Sequence, residues 1–178
     1  ALDYEPMEEK HSWLDGPQIP GEFDNPDKLS DYPGQALGLA PDGPGSQATL
    51  MRRVGGILID WIISLMIAGA FSMFFGPSEA QIDQFGDSFI AWQSFLATYS
   101  PVVFLIIGTV SVWLFARTPG QWMMKMGVAR VDKPGERVGF VRAFFRSLLT
   151  LFLLPPAITD SDMRGMHDRA TGTAVILG

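Results

Sequence analysis

Apolar residues in this chain are gathered into three blocks. The first begins after two cations, Arg52-Arg53, and runs from Val54 to Phe75. About 20 apolar residues in a helix cover the ~30 Å of a bilayer's hydrocarbon layer. The run therefore predicts a membrane-spanning helix. Within it Gly56, Asp60, Ser64 and Ala68 recur every fourth residue and form one stripe. Small residues on a membrane helix let a neighbour approach closely, so this stripe is expected to face protein. The second block begins near the interface over Phe89–Phe95, with Trp92 and Tyr99 as belt aromatics. Its strongest part is Val102–Ala116, with Pro101 near the start, Gly108 and Ser111 as small contacts, and Arg117 at the end. The third block, Phe140–Ile158, carries Arg142 and Arg146 one turn apart and is broken by Pro155-Pro156. Leu148–Leu154 is too short to cross alone. A re-entrant element is expected there, with a third full crossing as the alternative.

Between the blocks the pattern changes. Residues 76–88 hold three acids and no Lys or Arg, and read as a loop. Residues 117–137 carry Arg117, Lys125, Arg130, Lys133 and Arg137. The positive-inside rule places this loop, and the Arg52-Arg53 end, in the cytoplasm. Thr118-Pro119-Gly120-Gln121-Trp122 reads as a turn into a short interfacial helix. Residues 127–132 and 171–177 read as strands, with Lys133-Pro134-Gly135-Glu136 as a turn. The predicted architecture is membrane α-helical: two transmembrane helices, a re-entrant or third apolar helix, and a small cytoplasmic β element.

Residues 1–50 form a long irregular N-terminal arm, and residues 51–178 the membrane domain. Seven prolines and six glycines erase any helical or strand period in the arm. Charge sharpens the division. The arm holds ten acids and two lysines, whereas the remainder holds nine acids and eleven basic residues. Such an arm cannot bury enough apolar surface to order itself. A domain of this size offers it little surface, so it is expected to lie on another protein. Its isolated large side chains, Tyr4, Trp13, Leu14, Ile19, Phe23 and Tyr32, are the candidate anchors. The arm also lacks the charged-then-apolar pattern of a signal peptide.

The candidate chemistry is sparse. There is no cysteine, which removes disulfides and thiolate metal sites. The two histidines, His11 and His167, are far apart, so no metal or haem cofactor is expected. An acidic chain without a basic patch argues against nucleic acid. Asp60 is the one ionisable group inside the first span and needs a partner. Helical side chains point back toward the N-terminus, so Arg53 reaches away from it. Arg142 or Arg146, approaching from the headgroup side, is the expected partner. Asp168 is expected to cap or pair within the β element, to Arg53 or Arg130. The predicted charge cluster is thus Arg53, Asp60, Arg142, Arg146 and Asp168.

These residues resemble the RDD family of bacterial membrane proteins. The family's name reports an Arg opening the first span, an Asp within it and a second Asp near the end. Arg53 and Asp60 match the first two. Thr118-Pro119-Gly120 followed by Gly127-Val128-Ala129-Arg130-Val131 resembles the middle segment. His167-Asp168-Arg169-Ala170-Thr171-Gly172-Thr173-Ala174-Val175 resembles the closing motif, with Asp168 as the second Asp. The resemblance covers residues 51–178. Gln121 departs from it, since the family usually carries Lys there. The resemblance implies a multi-pass protein of the bacterial cell membrane, and transport has been suggested for the family.

Two functions follow as expectations. One is a non-catalytic accessory subunit docked by its arm on a larger membrane complex, such as a respiratory oxidase or supercomplex. The other is a transporter of protons, sodium or small solutes that uses Asp60. No constellation for an enzyme is present.

Overall fold

The computed structural model describes residues 30–152 and 164–178. Its elements in order are α1 (Leu50–Phe75), α2 (Glu79–Phe85), α3 (Ser88–Phe115), α4 (Pro119–Met123), β1 (Met126–Arg130), α5 (Phe140–Leu151), α6 (Met166–Thr171) and β2 (Thr173–Leu177). Of the arm's candidate anchors, Tyr4, Trp13, Leu14, Ile19 and Phe23 lie outside the described residues, as does Pro155-Pro156.

Both α1 and α3 are long and apolar enough to cross a bilayer. They pack side by side with an inverted pattern. The buried face of α1 is Arg53, Gly56, Asp60, Ser64, Ala68 and Ser72, while Leu58, Ile62, Met66 and Phe74 are exposed. A helix in water would bury the leucines and expose the serines. In lipid the apolar side chains already have a good solvent, so small and polar residues take the protein interface. Ser64 Oγ donates to its own helix at Asp60 O (2.7 Å), which satisfies the hydroxyl without a partner helix. Trp61 and Phe104 stack across the seam at 5.0 Å.

The second span starts earlier than its strongest apolar run. Asp87 caps α3 by accepting from the Phe89 and Ile90 N–H groups at 2.6 and 3.4 Å. Pro101, expected near the start, therefore sits inside the helix, where it leaves one backbone carbonyl without its usual donor. Ala116, in the left-handed region at φ 54°, closes the helix.

Residues 76–88, expected as a loop, contain the short helix α2. Ser78 and Gln81 form a reciprocal capping box: Ser78 N–H donates to Gln81 Oε1 (2.9 Å) and Gln81 N–H to Ser78 Oγ (3.4 Å). This S-x-x-Q signature is local and was present in the sequence.

The two strand-like segments do pair. β1 and β2 run antiparallel, with Met126 opposite Leu177 and Arg130 opposite Thr173. The 133–136 turn does not join them, because α5 and α6 intervene. A third stretch adds to β2. Gly45 N–H donates to Leu177 O, Leu177 N–H to Ser46 O, and Ala48 N–H to Val175 O, at 2.7–2.9 Å. The last residues assigned to the arm are thus part of the folded unit, and Ala48 packs with Met126 and Val175. Tyr32 also engages its own chain, donating from its hydroxyl to Leu39 O at 3.3 Å.

Sheet, α4 and the start of α5 all gather at one end of the α1–α3 pair. Val128 N–H donates to Ala116 O (2.7 Å), tying β1 to the end of α3. α5 lies against α3, and a Cβ on Gly108 would stand 2.9 Å from Ser147 Oγ. Its 12 residues give a length of ~18 Å, too short to cross a bilayer.

Candidate functional site

Arg53, Asp60 and Ser64 of α1 border the junction where α1, α3, α4, α5 and α6 meet. Asp60 is its centre. Thr118 Oγ1 donates to Asp60 Oδ2 (2.5 Å) and Gly120 N–H to Oδ1 (2.7 Å). Both donors come from the first turn of α4. Thr118 is the cap of that helix, and its box with Gln121 fixes it: Thr118 N–H donates to Gln121 Oε1 (3.0 Å) and Gln121 N–H to Thr118 Oγ1 (3.2 Å). Pro119 presets the first helical residue, where its missing N–H costs nothing. Gly120 allows the contact itself. A Cβ there would stand 2.1 Å from Gly56 O and 2.9 Å from Asp60 Cγ. Thr-Pro-Gly-Gln is therefore a device for bringing two donors onto a membrane carboxylate.

This corrects the expectation that Arg142 or Arg146 binds Asp60. A hydroxyl and an amide held by a helix start satisfy the carboxylate directly. The arginines are engaged elsewhere. Arg146 Nε lies 3.0 Å from Asp168 Oδ1, and both side chains are buried, at 4% and 0% exposure. That contact is ionic and off the line of a good hydrogen bond. Arg146 still contributes a favourable charge at Asp60. Arg142 instead grips Asp132 through two nitrogens at 2.8 and 3.0 Å. Arg130 joins that cluster, bonding Asp132 at 2.6 Å and Glu136 at 2.7 Å. The hydrogen bonds from Arg130 and then Arg142 hold the Asp132 carboxyl well below the usual carboxylate range.

Asp168 was expected to meet Arg53 or Arg130. Its direct cation is Arg146, while Arg53 adds a favourable charge at longer range. Arg130 is committed to Asp132 and Glu136. Burial pushes the Asp168 carboxyl up, but Arg146, His167, Arg53 and the Thr173 hydroxyl together hold it below its ordinary value. Thr173 Oγ1 donates to Asp168 Oδ1 at 3.2 Å. Arg53 Nε donates to Ala48 O at 2.9 Å, linking α1 to the sheet edge.

Arg53, Asp60, Arg146 and His167 border a common cavity with Ser64 and Thr118. Its volume is about 30 Å³, room for one or two waters. Arg142 is outside it. Sequence reading overlooked Thr118 and Gly120 as partners of Asp60, and Thr173 as a partner of Asp168. The signal for Thr118 was available: a capping box beside the end of a span that must satisfy a carboxylate. Among the described residues no three His, Asp or Glu side chains group as metal ligands.

Two apolar helices with polar faces turned inward, closed at one end by a buried charge junction, define a helical membrane protein whose setting is a lipid bilayer. The model of the RDD family matches residues 47–172, most of the chain. The chain belongs to the RDD family. Comparison with curated proteins and with solved structures returned no match. The Arg, Asp and Asp that resemble the family's name are Arg53, Asp60 and Asp168, and all three converge on this junction.

Proposed function

We propose that this chain is a non-catalytic accessory subunit of a larger membrane complex, docked through its N-terminal arm. The observation that carries the reading is the closure of the junction. Asp60 and Asp168 are each engaged by groups of their own chain, and the cavity that Asp60 borders has room for one or two waters. Polar groups so arranged hold helices together and leave no room for a substrate. The arm is then the part whose composition calls for a partner. We place the chain in a bacterial cell membrane with its sheet end in the cytoplasm, supported by Arg52, Arg53, Arg117 and Lys125 at that end. The arm joins β2 there through residues 45–48, so it leaves on the same side. We read the third apolar block as re-entrant. β1 precedes it and β2 follows it, and their pairing supports a return to the side of departure.

The test is a deletion of residues 1–29, the part of the arm outside the described residues. The truncated protein is expected to reach the membrane but to lose the complex that co-purifies with the full chain. Equal recovery of the same partners by both forms would overturn the reading.

Cation passage is a second reading, favoured by one observation: the Asp60 carboxylate borders a cavity. Against it, no Asp, Glu, Lys, Arg or His follows Asp60 in α1, and α3 contains none. A path through hydrocarbon needs polar groups along its length. On the accessory reading, sodium or proton flux into vesicles is expected to be the same for wild type and Asp60→Asn. A flux abolished by that exchange would establish transport instead.

A further inference from the structure

A second cleft at the sheet end lies away from the junction. It lies between the end of α3 and α4, lined by Ser111, Phe115, Arg117, Thr118, Pro119 and Trp122, with a volume of about 430 Å³. Its walls follow a graded order. Ser111 stands one helical turn, ~6 Å, deeper in the span than Phe115. Phe115 and Trp122 form the apolar flanks and are two-thirds exposed, at 66% and 67%. Arg117 follows just past the helix end and is exposed. Thr118, the next polar side chain, is committed to Asp60. No acid pairs with Arg117 among the described residues.

Along α3 toward its cationic end, the cleft therefore runs from the Phe115 ring to a single cation, Arg117, with the Trp122 indole also in its lining. A phospholipid presents the same order in matching form: acyl chain, then phosphate. Trp side chains favour the membrane interface because the ring is apolar and its N–H can bond the ester region. One cation without a neighbouring acid favours a headgroup with net negative charge over a zwitterionic one. We propose that the α3–α4 cleft is a binding site for an anionic phospholipid, with Arg117 taking the phosphate and Phe115 and Trp122 flanking the upper acyl chain. The occupant is a membrane lipid rather than a free anion, because most of the wall is apolar and contributes nothing to a small hydrated ion. The inference depends on the membrane setting and not on the accessory role.

The full chain, purified in detergent and stripped of native lipid, is titrated with equal amounts of phosphatidylglycerol or phosphatidylcholine, and bound lipid is counted by native mass spectrometry. Phosphatidylglycerol is expected to bind about fivefold more tightly, the effect of one interfacial cation. Arg117→Gln should bring the two lipids to parity, whereas Arg137→Gln, an exposed cation outside the cleft, should leave the preference intact. Ser111→Phe, which fills the deep end, should weaken both lipids alike. Millimolar inorganic phosphate should not displace phosphatidylglycerol. Parity in the wild type, a preference that survives Arg117→Gln, unchanged binding in Ser111→Phe, or displacement by phosphate would each overturn the assignment. Helical circular dichroism identifies a misfolded variant, and either of the two cleft variants is sufficient for the decision.

Discussion

Exchange of Asp168 for asparagine is expected to destabilise the protein by about 3–5 kcal/mol, the usual effect of removing one partner from a buried ion pair. Asp168 is fully buried and its direct partner Arg146 is 4% exposed, so no water can replace the lost charge. The loss would be read as a fall in melting temperature, followed by circular dichroism in detergent. The size of the loss comes from the stranded guanidinium more than from the missing attraction. Adding Arg146→Met to Asp168→Asn should therefore recover part of the stability, and the cycle of single and double variants measures that coupling. A single variant melting with the wild type would show that the pair holds nothing together. The effect has a pH signature. Asp168 is held below its ordinary value, so the folded state binds that proton less readily than the unfolded chain. Its stabilisation is complete above the unfolded carboxylate value near ~4 and is lost as pH falls through the lower folded value. The gap between wild type and variant should thus be full at neutral pH and narrow in acid.

The second large effect is expected at Gly120. An alanine Cβ would collide with the backbone oxygen of Gly56 at 2.1 Å and with the Asp60 carboxyl carbon at 2.9 Å. A backbone atom inside a membrane helix cannot rotate aside, so α4 must move off α1. That movement breaks the Gly120 amide bond to Asp60 and draws Thr118 away with it. Moving α4 off relieves the overlap but loses both bonds to the carboxylate, each worth about 1.5–3 kcal/mol, so a total of about 3–6 kcal/mol is expected for Gly120→Ala. Gly69 is the control. Nothing lies within 4 Å of the site of its Cβ, and Gly69→Ala should melt with the wild type or slightly above it. Equal melting temperatures for the two variants would mean that α4 does not depend on this close approach.

The two variants also mark the line between what was legible and what was not. Each half of the Asp60 site could be read separately: a carboxylate on a small-residue stripe, and a turn opening a short helix at Thr118-Pro119-Gly120. What could not be read was that they meet. Asp60 and Gly120 are 60 positions apart, and their contact depends on the angle at which α3 returns and on the left-handed Ala116 that turns the chain into α4. Opposite charge, the strongest one-dimensional cue, pointed to Arg142 and Arg146 as partners of Asp60. A hydroxyl and an amide carry no such mark in a string of letters. Arg142 shows the same limit, since its Asp132 partner sits in a turn beyond β1. The helix α2 is a different case: its Ser78–Gln81 box is local and lies within the sequence itself.

Hydropathy, the four-residue spacing of small side chains and the family's three charged positions were sufficient to indicate two helices long and apolar enough to cross a bilayer, their protein-facing stripe, the two pairing strands and membership of the RDD family. These depend on period and length, which a sequence carries directly. Packing alone decided that Thr118 and Gly120 hold Asp60, that Arg146 goes to Asp168, and that residues 45–48 extend the sheet. A buried charge takes whichever donors the fold delivers with the right geometry, and only the mutual arrangement of the elements selects among the candidates.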